Sequence, residues 1–352
     1  MAYRAIPLRL EVHAAALARL WAENMSDGTI AAAIPARMRW LYEQAPDGPA
    51  VTVLALDEGG GEVVGCGSFL PRTARIDGRP CRAAMLCDFA VARPHRLGGA
   101  AIAIQRALVE AGRAAGVELL YGFPNEKSAA VFRRVGYRVV GESSTWVKPL
   151  RSAWALRRRL GPAAGPLSVP LDAGLRALDA VLARTRSRVT ARALSGADAG
   201  AAGIAGAPGA ARGITLEKSA AWLDWRYRGV ATGPRSLLGV WRRGEDRLSG
   251  VAAYRIDGRQ ATVDDLLADG GTGGTDALLL ALAATARAQG ADALTVTYVG
   301  PAGFGDGLRR LGFLRRAGRR PLVVHAGLSP EAIRERACDA SSWFLLDGEL
   351  DI

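Results

Sequence analysis

Residues 86–108 read LCDFAVARPHRLGGAAIAIQRAL. The apolar run ending at Val91 has the character of a buried strand, Pro94 marks a turn, and the regular apolar spacing after Gly99 is that of a helix. Arg96-x-x-Gly99-x-Ala101 stands at the helix start. The unpaired N–H groups there favour negative charge, small residues let a ligand approach the backbone, and an arginine adds a phosphate contact. The stretch therefore reads as a strand running into an anion cradle made of Arg96, Leu97, Gly98, Gly99, Ala100 and Ala101.

Upstream, VTVLALDEGGGEVVGCGSFLPR (51–72) is strand, glycine turn, strand, and Asp77-Gly78 marks a second hairpin. Downstream, VELLYGF is a short buried strand, NEKSAAVFRRVG (125–136) an amphipathic helix stopped by Gly136, and YRVVGESSTWVK the closing strand. The order then recurs. An IDGR turn stands at 256–259, TDALLLALAATARAQG is the helix, ADALTVTYVG the strand, FGDGLRRLG the short helix and FLRRAGRRPLVVHA the closing strands. FRRVGY and LRRLGF place Gly136 and Gly312 at matching points, so one α/β unit is expected twice. Each copy is expected to hold a mixed, mainly antiparallel sheet flanked by helices. The linear division is 1–150, a helical and Gly/Ala-rich linker over 151–213, and 214–352.

The chain has 352 residues, which suits two cores. Its formal charge is +12, but it carries 43 arginines against three lysines, Lys127, Lys148 and Lys218. That skew fits a compositional bias, no nucleic-acid-binding motif is visible, and no nucleic-acid partner is expected. The four cysteines lack CxxC spacing and the three histidines are scattered, so neither a disulfide scaffold nor a metal site is expected. The N-terminus has charges throughout and no signal-peptide core, and no stretch is long enough to span a bilayer, so a cytoplasmic location is the expectation. A basic helix with Trp154 leaves peripheral membrane contact open, although a linker helix capping a domain accounts for it as well. Homo-oligomerisation is left open.

The cradle resembles the pyrophosphate loop of the GNAT acyltransferase superfamily, Q/R-x-x-G-x-G/A, with Arg96, Gly99 and Ala101 at the matching positions. Family members continue with N-x-x-A-x-x-x-Y-x-x-x-G-F after the next strand. Here Asn125, Ser128, Phe132, Gly136 and Tyr137 stand at those spacings. The resemblance covers about 51–148 and implies acetyl-CoA or another acyl-CoA as co-substrate, a small-molecule amine as acceptor, and no metal. It also implies that the strand backbone around Phe89, Ala90 and Val91 engages the pantetheine and the thioester carbonyl.

One departure bears on mechanism. Phe132 occupies the place of the tyrosine that protonates the departing thiolate in many members, and a phenyl ring cannot donate a proton. Tyr137 or Tyr121 could substitute, and each reads equally as a core aromatic. For the base, Asp88 lies inside the apolar strand, where an unpaired carboxylate is costly. It reads equally as a base, as the partner of an arginine such as Arg82, or as a solvent-facing residue. Cys87 reads as a core thiol.

In the second copy Gly271 and Gly274 keep their spacing, the arginine is missing, and Asp276 replaces the small residue, which disfavours a pyrophosphate. That copy is expected to be degenerate. SAAWLDWRYRG (219–229), with Trp222, Trp225, Arg226 and Tyr227, suits stacking on a sugar, yet interface packing is preferred. The acidic tail, Asp347, Glu349 and Asp351, could attract a cationic amine, yet a solvated terminus is preferred. The tandem arrangement resembles bacterial acyltransferases of cell-envelope or exopolysaccharide synthesis, making an amino sugar the preferred acceptor. Alternatives are a non-catalytic acyl-CoA-binding or scaffold protein, and an aminoacyl-tRNA-dependent peptidyl transferase, against which the intact cradle argues.

Overall fold

A computed structural model describes residues 2–24, 29–153, 156, 164–186, 189–194, 213–228, 235–269, 271–317 and 320–350. Trp154, the Gly/Ala-rich stretch up to 212 and Asp351 lie outside the described residues. The first half runs β1 (Tyr3–Pro7), α1 (Leu10–Asn24), α2 (Thr29–Tyr42), β2 (Val51–Asp57), β3 (Val63–Ile76), β4 (Arg79–Val91), α3 (Ala100–Ala114), β5 (Leu119–Gly122), α4 (Glu126–Arg134), β6 (Arg138–Glu142) and β7 (Ser144–Pro149). The second runs α5 (Ala164–Arg186), β8 (Val189–Ala193), β9 (Ile214–Leu216), α6 (Ala220–Arg228), β10 (Ser236–Arg242), β11 (Leu248–Asp257), β12 (Gln260–Ala268), α7 (Gly271–Ala288), β13 (Ala293–Val299), α8 (Ala302–Arg310), β14 (Leu314–Arg316), β15 (Pro321–His325), α9 (Glu331–Ala337) and β16 (Leu345–Leu346).

The local signals act where the sequence places them. Asp77 and Gly78 both take positive φ, 49° and 85°, the pair a tight hairpin turn requires between β3 and β4. Gly136 and Gly312, at φ 95° and 85°, follow α4 and α8 in the left-handed conformation that ends a helix at least cost in glycine.

Two mixed sheets of eight strands result among the described residues. The first has the order β1-β2-β3-β4-β5-β15-β6, with β9 also on β3, and the second β14-β7-β13-β12-β11-β10-β8, with β16 also on β13. In each, one pairing is parallel, β4 with β5 and β12 with β13, and the remainder are antiparallel. This is the duplicated α/β architecture, with one addition that spacing does not reveal: the halves exchange a strand. β7 lies between β13 and β14 in the second sheet, while β15 lies between β5 and β6 in the first. A linear boundary at 150 therefore divides the chain but not the sheets.

A joint core fuses the halves. Trp21, Trp40 and Leu54 from the first pack in one cluster with Trp222, Trp225, Leu237 and Trp241 from the second. Trp222, Trp225, Arg226 and Tyr227 are all buried, which assigns the WRY segment to interface packing. α5 packs on α7, tied down by Asp179, which meets Lys148 at 2.7 Å and Arg287 at 2.5 Å.

Candidate active site

Strand β4 pairs with β5 only over Ala83–Met85 and then parts from it. On its other edge the register with β3 jumps from Ser68–Cys87 to Cys66–Ala90, so Asp88 and Phe89 form a bulge. Asp88 carries the strain of that bulge, with φ 49° in a non-glycine residue. The last six residues of β4 are thereby turned away from β5, and a cleft of about 660 Å³ opens beside them. That volume is within the range of small-molecule sites.

The cleft is lined by Asp88, Phe89, Ala90 and Val91 on β4, by Arg96, Leu97 and Ala101 at the start of α3, and by Asn125, Ser128 and Phe132 on α4. Asp88 and Phe132, 44 positions apart, thus meet in one cavity. Gly98, Gly99 and Ala100 complete the loop without lining the cleft. Gly98 lies against the Tyr3 ring, where an added Cβ would come within 2.3 Å of the hydroxyl. Gly99 is the left-handed N-cap of α3, at φ 99°, with open space beside it. The amides of Ala100 and Ala101 therefore have no partner one turn back in the helix. Arg96 Nε donates to the Val91 carbonyl at 3.0 Å, which fixes its stem at the cleft edge. Asn125 caps α4 by accepting from the Ser128 amide at 3.0 Å, and Ser128 Oγ donates to the Asn125 carbonyl at 3.1 Å.

Asp88 does pair with an arginine, but with Arg37 of α2 at 2.5 Å. Arg82 lies at the far end of the strand, donating to the Ala115 carbonyl. The pairing across 51 residues has no local sequence signal, because it depends on how α2 lies over the sheet. The Asp88 side chain is fully shielded, and its Oδ2 has no partner among the described residues. Burial and the Asp88 carboxylate push the Cys87 thiol well above its ordinary range, which suits an inert core thiol.

Tyr137 is placed otherwise than the motif suggests. It does not line the cleft; its ring packs edge-on against Phe132 and His325, 5.1 Å from each, and burial pushes its phenol up. Phe132 stands between it and the cavity side, edge-on to Phe89 at 5.7 Å. Tyr121 is equally removed: its hydroxyl donates to Glu349 Oε2 at 3.3 Å in a buried cluster. Burial, with the Glu349 charge, holds it far above the ordinary phenol range.

Glu349 corrects the reading of the tail. It is 1% exposed and lines the cleft together with Leu350. Arg72 meets its Oε2 at 3.0 Å and Lys218 its Oε1 at 3.2 Å. Burial alone would raise this carboxyl, but Arg72 and Lys218 outweigh it and hold the group below the usual carboxylate range. Asp347 pairs with Arg255 at 2.8 Å, and Arg226 holds the Gly348 carbonyl at 3.0 Å. A tail that reads as solvated is instead locked down by cations from both halves. Asn24, Gln105 and Phe123 also line the cleft without having been singled out by motif.

The equivalent opening in the second half is closed. β12 likewise pairs with β13 only over Gln260–Val263, but β16 pairs with the freed end of β13 through Leu345 and Leu346. Helix α7 starts at Gly271, two residues after Asp269 follows β12, whereas eight residues separate β4 from α3. Gly274 lies so close to Asp269 that an added Cβ would sit 2.0 Å from its carbonyl oxygen. Among the described residues, this half keeps neither the eight-residue connection nor the gap beside its splayed strand.

A bulged, splayed strand thus lies beside a helix N-terminus, with a cleft between them. Residues 14–140 match the acetyltransferase (GNAT) domain family, and the fold of the chain is that of GNAT N-acyltransferases. Among solved structures it is similar to a conserved Enterococcus faecalis V583 protein described as a probable N-acyltransferase, at 12% identity and TM-score 0.66, over 92% of this chain and 72% of that one. It is also similar to a GCN5-related N-acetyltransferase from Kribbella flavida, at 18% identity and TM-score 0.60, over 92% and 70%. A third is the glucosamine N-acetyltransferase region of a fungal multi-domain beta-N-acetylglucosaminidase, at 11% identity and TM-score 0.57, over 92% and 38%. No curated protein matches the chain.

Proposed function

We propose that this chain moves an acetyl or other acyl group from acyl-CoA to the amine of a small molecule, with an amino sugar as preferred acceptor. The observation that carries this reading is the meeting of two separate motifs, Arg96 to Ala101 and Asn125 to Phe132, in one cleft beside the β4 bulge. Arg96 and the amides of Leu97, Gly99, Ala100 and Ala101 hold the pyrophosphate. The freed edge of β4 at Phe89, Ala90 and Val91 takes the pantetheine and thioester carbonyl, and Asn125, Ser128 and Phe132 wall the sulfur. The sugar preference has weaker support, from the tandem architecture and from a fold neighbour whose own substrate class is glucosamine.

Asp88 is the proposed proton partner of the acceptor. Its Oδ1 is held by Arg37, and its buried Oδ2, without a donor among the described residues, would take one from an incoming amine. The thiolate leaves without help from Phe132; a thiol of reference pKa about 8.5 is a fair leaving group unassisted. The Arg37 pair and complete shielding of the Asp88 side chain favour a second reading, an acyl-CoA binder in which Asp88 is structural.

Titration calorimetry with acetyl-CoA and longer acyl-CoAs tests the shared premise. Binding should weaken about tenfold or more in Arg96→Glu, and the absence of any binding would sink both readings. Thiol release with a panel of amino sugars and other amines separates them. The enzyme reading expects amine-dependent release that falls about 100-fold in Asp88→Asn while acyl-CoA affinity is kept. Binding without release for any amine favours the binder.

A further inference from the structure

Helix α5 has two faces of unequal explanation. Leu175, Asp172 and Asp179 turn toward the body, where Asp172 accepts from the Ser152 amide at 2.5 Å and Asp179 meets Lys148 and Arg287. Between 169 and 184 eleven positions are exposed, and nine of them are Val, Pro, Leu, Ala or Gly. The other two are Arg176 and Arg184, so this outward side carries no acid at all. A helix face that meets only water ordinarily carries Glu and Lys of both signs. Val169 is 70% exposed, Leu171 50% and Leu178 49%. Leu171 and Leu178 are two turns apart and share one stripe.

Charge concentrates in the same stretch. Residues 151–192 hold nine arginines, two aspartates, and no lysine or glutamate, which is +7 of the chain's +12. Both aspartates are the inward-facing ones just named. No described helix is long and apolar enough to cross a bilayer. Apolar side chains and arginines together on an exposed helix suit the headgroup boundary of an anionic leaflet, where aliphatic groups enter the acyl edge and guanidiniums meet lipid phosphates.

We propose that the outward face of α5 docks this protein on an anionic membrane surface. The claim concerns a face remote in sequence from the cleft residues, and does not depend on which acceptor is used. Arginine at Arg176 and Arg184 makes the association salt-sensitive, and Leu171 and Leu178 make it persist beyond simple attraction.

Co-sedimentation of the full chain with phosphatidylcholine vesicles, and with vesicles of phosphatidylcholine mixed with phosphatidylglycerol, tests this. Binding is expected to the mixed vesicles, little to phosphatidylcholine alone, and a decline as salt rises. Leu171→Asp with Leu178→Asp should weaken partitioning about tenfold or more, and Arg176→Glu with Arg184→Glu should do so independently. All four residues are exposed, so unfolding midpoints should stay within experimental scatter, and the two variant pairs check one another. No binding to mixed vesicles, equal binding to both kinds, or binding untouched by either pair overturns the proposal. So does a change in oligomeric state by light scattering, without a change in vesicle binding, in the leucine variant.

Discussion

Trp40 and Trp225 stack face to face across the boundary between the halves, with ring centroids 4.2 Å apart and planes within 7° of parallel. Each indole N–H donates to the backbone carbonyl of the other residue, at 2.9 and 2.8 Å. The bonds are reciprocal, as across a two-fold axis, so the two copies meet in the isologous manner of a symmetric dimer although one chain makes both sides. The strand exchange of β7 and β15 follows the same symmetry.

Because one contact serves both indoles, Trp40→Ala and Trp225→Ala should each cost about 3–5 kcal/mol of unfolding free energy. The double variant should cost clearly less than the sum, since either single change already abolishes the shared ring stack while removing one of the two hydrogen bonds. Denaturant unfolding of the three variants checks this, and strict additivity would mean that the residues act independently.

Phe132 lines the cleft, at the position where the resemblance to the family implies a proton-donating tyrosine in many members. Phe132→Tyr adds only a hydroxyl, and should raise kcat for thiol release about tenfold while leaving acyl-CoA affinity unchanged. A fall in kcat, or an effect confined to KM, would show that the leaving group does not meet this side chain.

Glu349 ties the tail to the cleft through Arg72 and Lys218. Glu349→Gln leaves those cations facing a neutral amide in a buried site, and should cost about 3–5 kcal/mol at neutral pH. The folded carboxyl lies below its ordinary value, so its contribution is present above the unfolded value of about 4.3 and is lost as pH falls through the lower folded one. Unfolding measured from neutral to acidic pH should therefore decline less steeply in Glu349→Gln than in the parent.

His325 gives a second, milder pH signature. Burial holds its imidazole below the ordinary histidine value, with its ring packed against Tyr137. The unfolded chain then binds a proton that the folded one resists, so this residue's contribution falls as pH drops below about 6.5. Thermal unfolding should lose midpoint across that window, and His325→Phe should flatten the dependence there.

The hairpins, the helix stops at Gly136 and Gly312, and the glycine-led start of α3 were legible because each is local. A turn needs Asp77 and Gly78 at adjacent positions, and a helix start needs small residues within one turn. The cleft wall on α4 was legible for the same reason. Arg37 as partner of Asp88, Tyr137 behind Phe132, and Glu349 in the cleft were not, since these depend on packing between elements far apart in the chain.

The sequence by itself determined that one α/β unit is written twice and that only the first copy carries Arg96-x-x-Gly99-x-Ala101 at its helix start, because backbone conformation and helix ends answer to neighbouring residues. Tertiary structure decided that the copies trade β7 for β15, that β16 closes the second opening, and that the tail reaches the first. Those outcomes depend on which apolar faces and buried charges find one another, and Glu349 reads as a solvated acid until Arg72, 277 residues away, is folded against it.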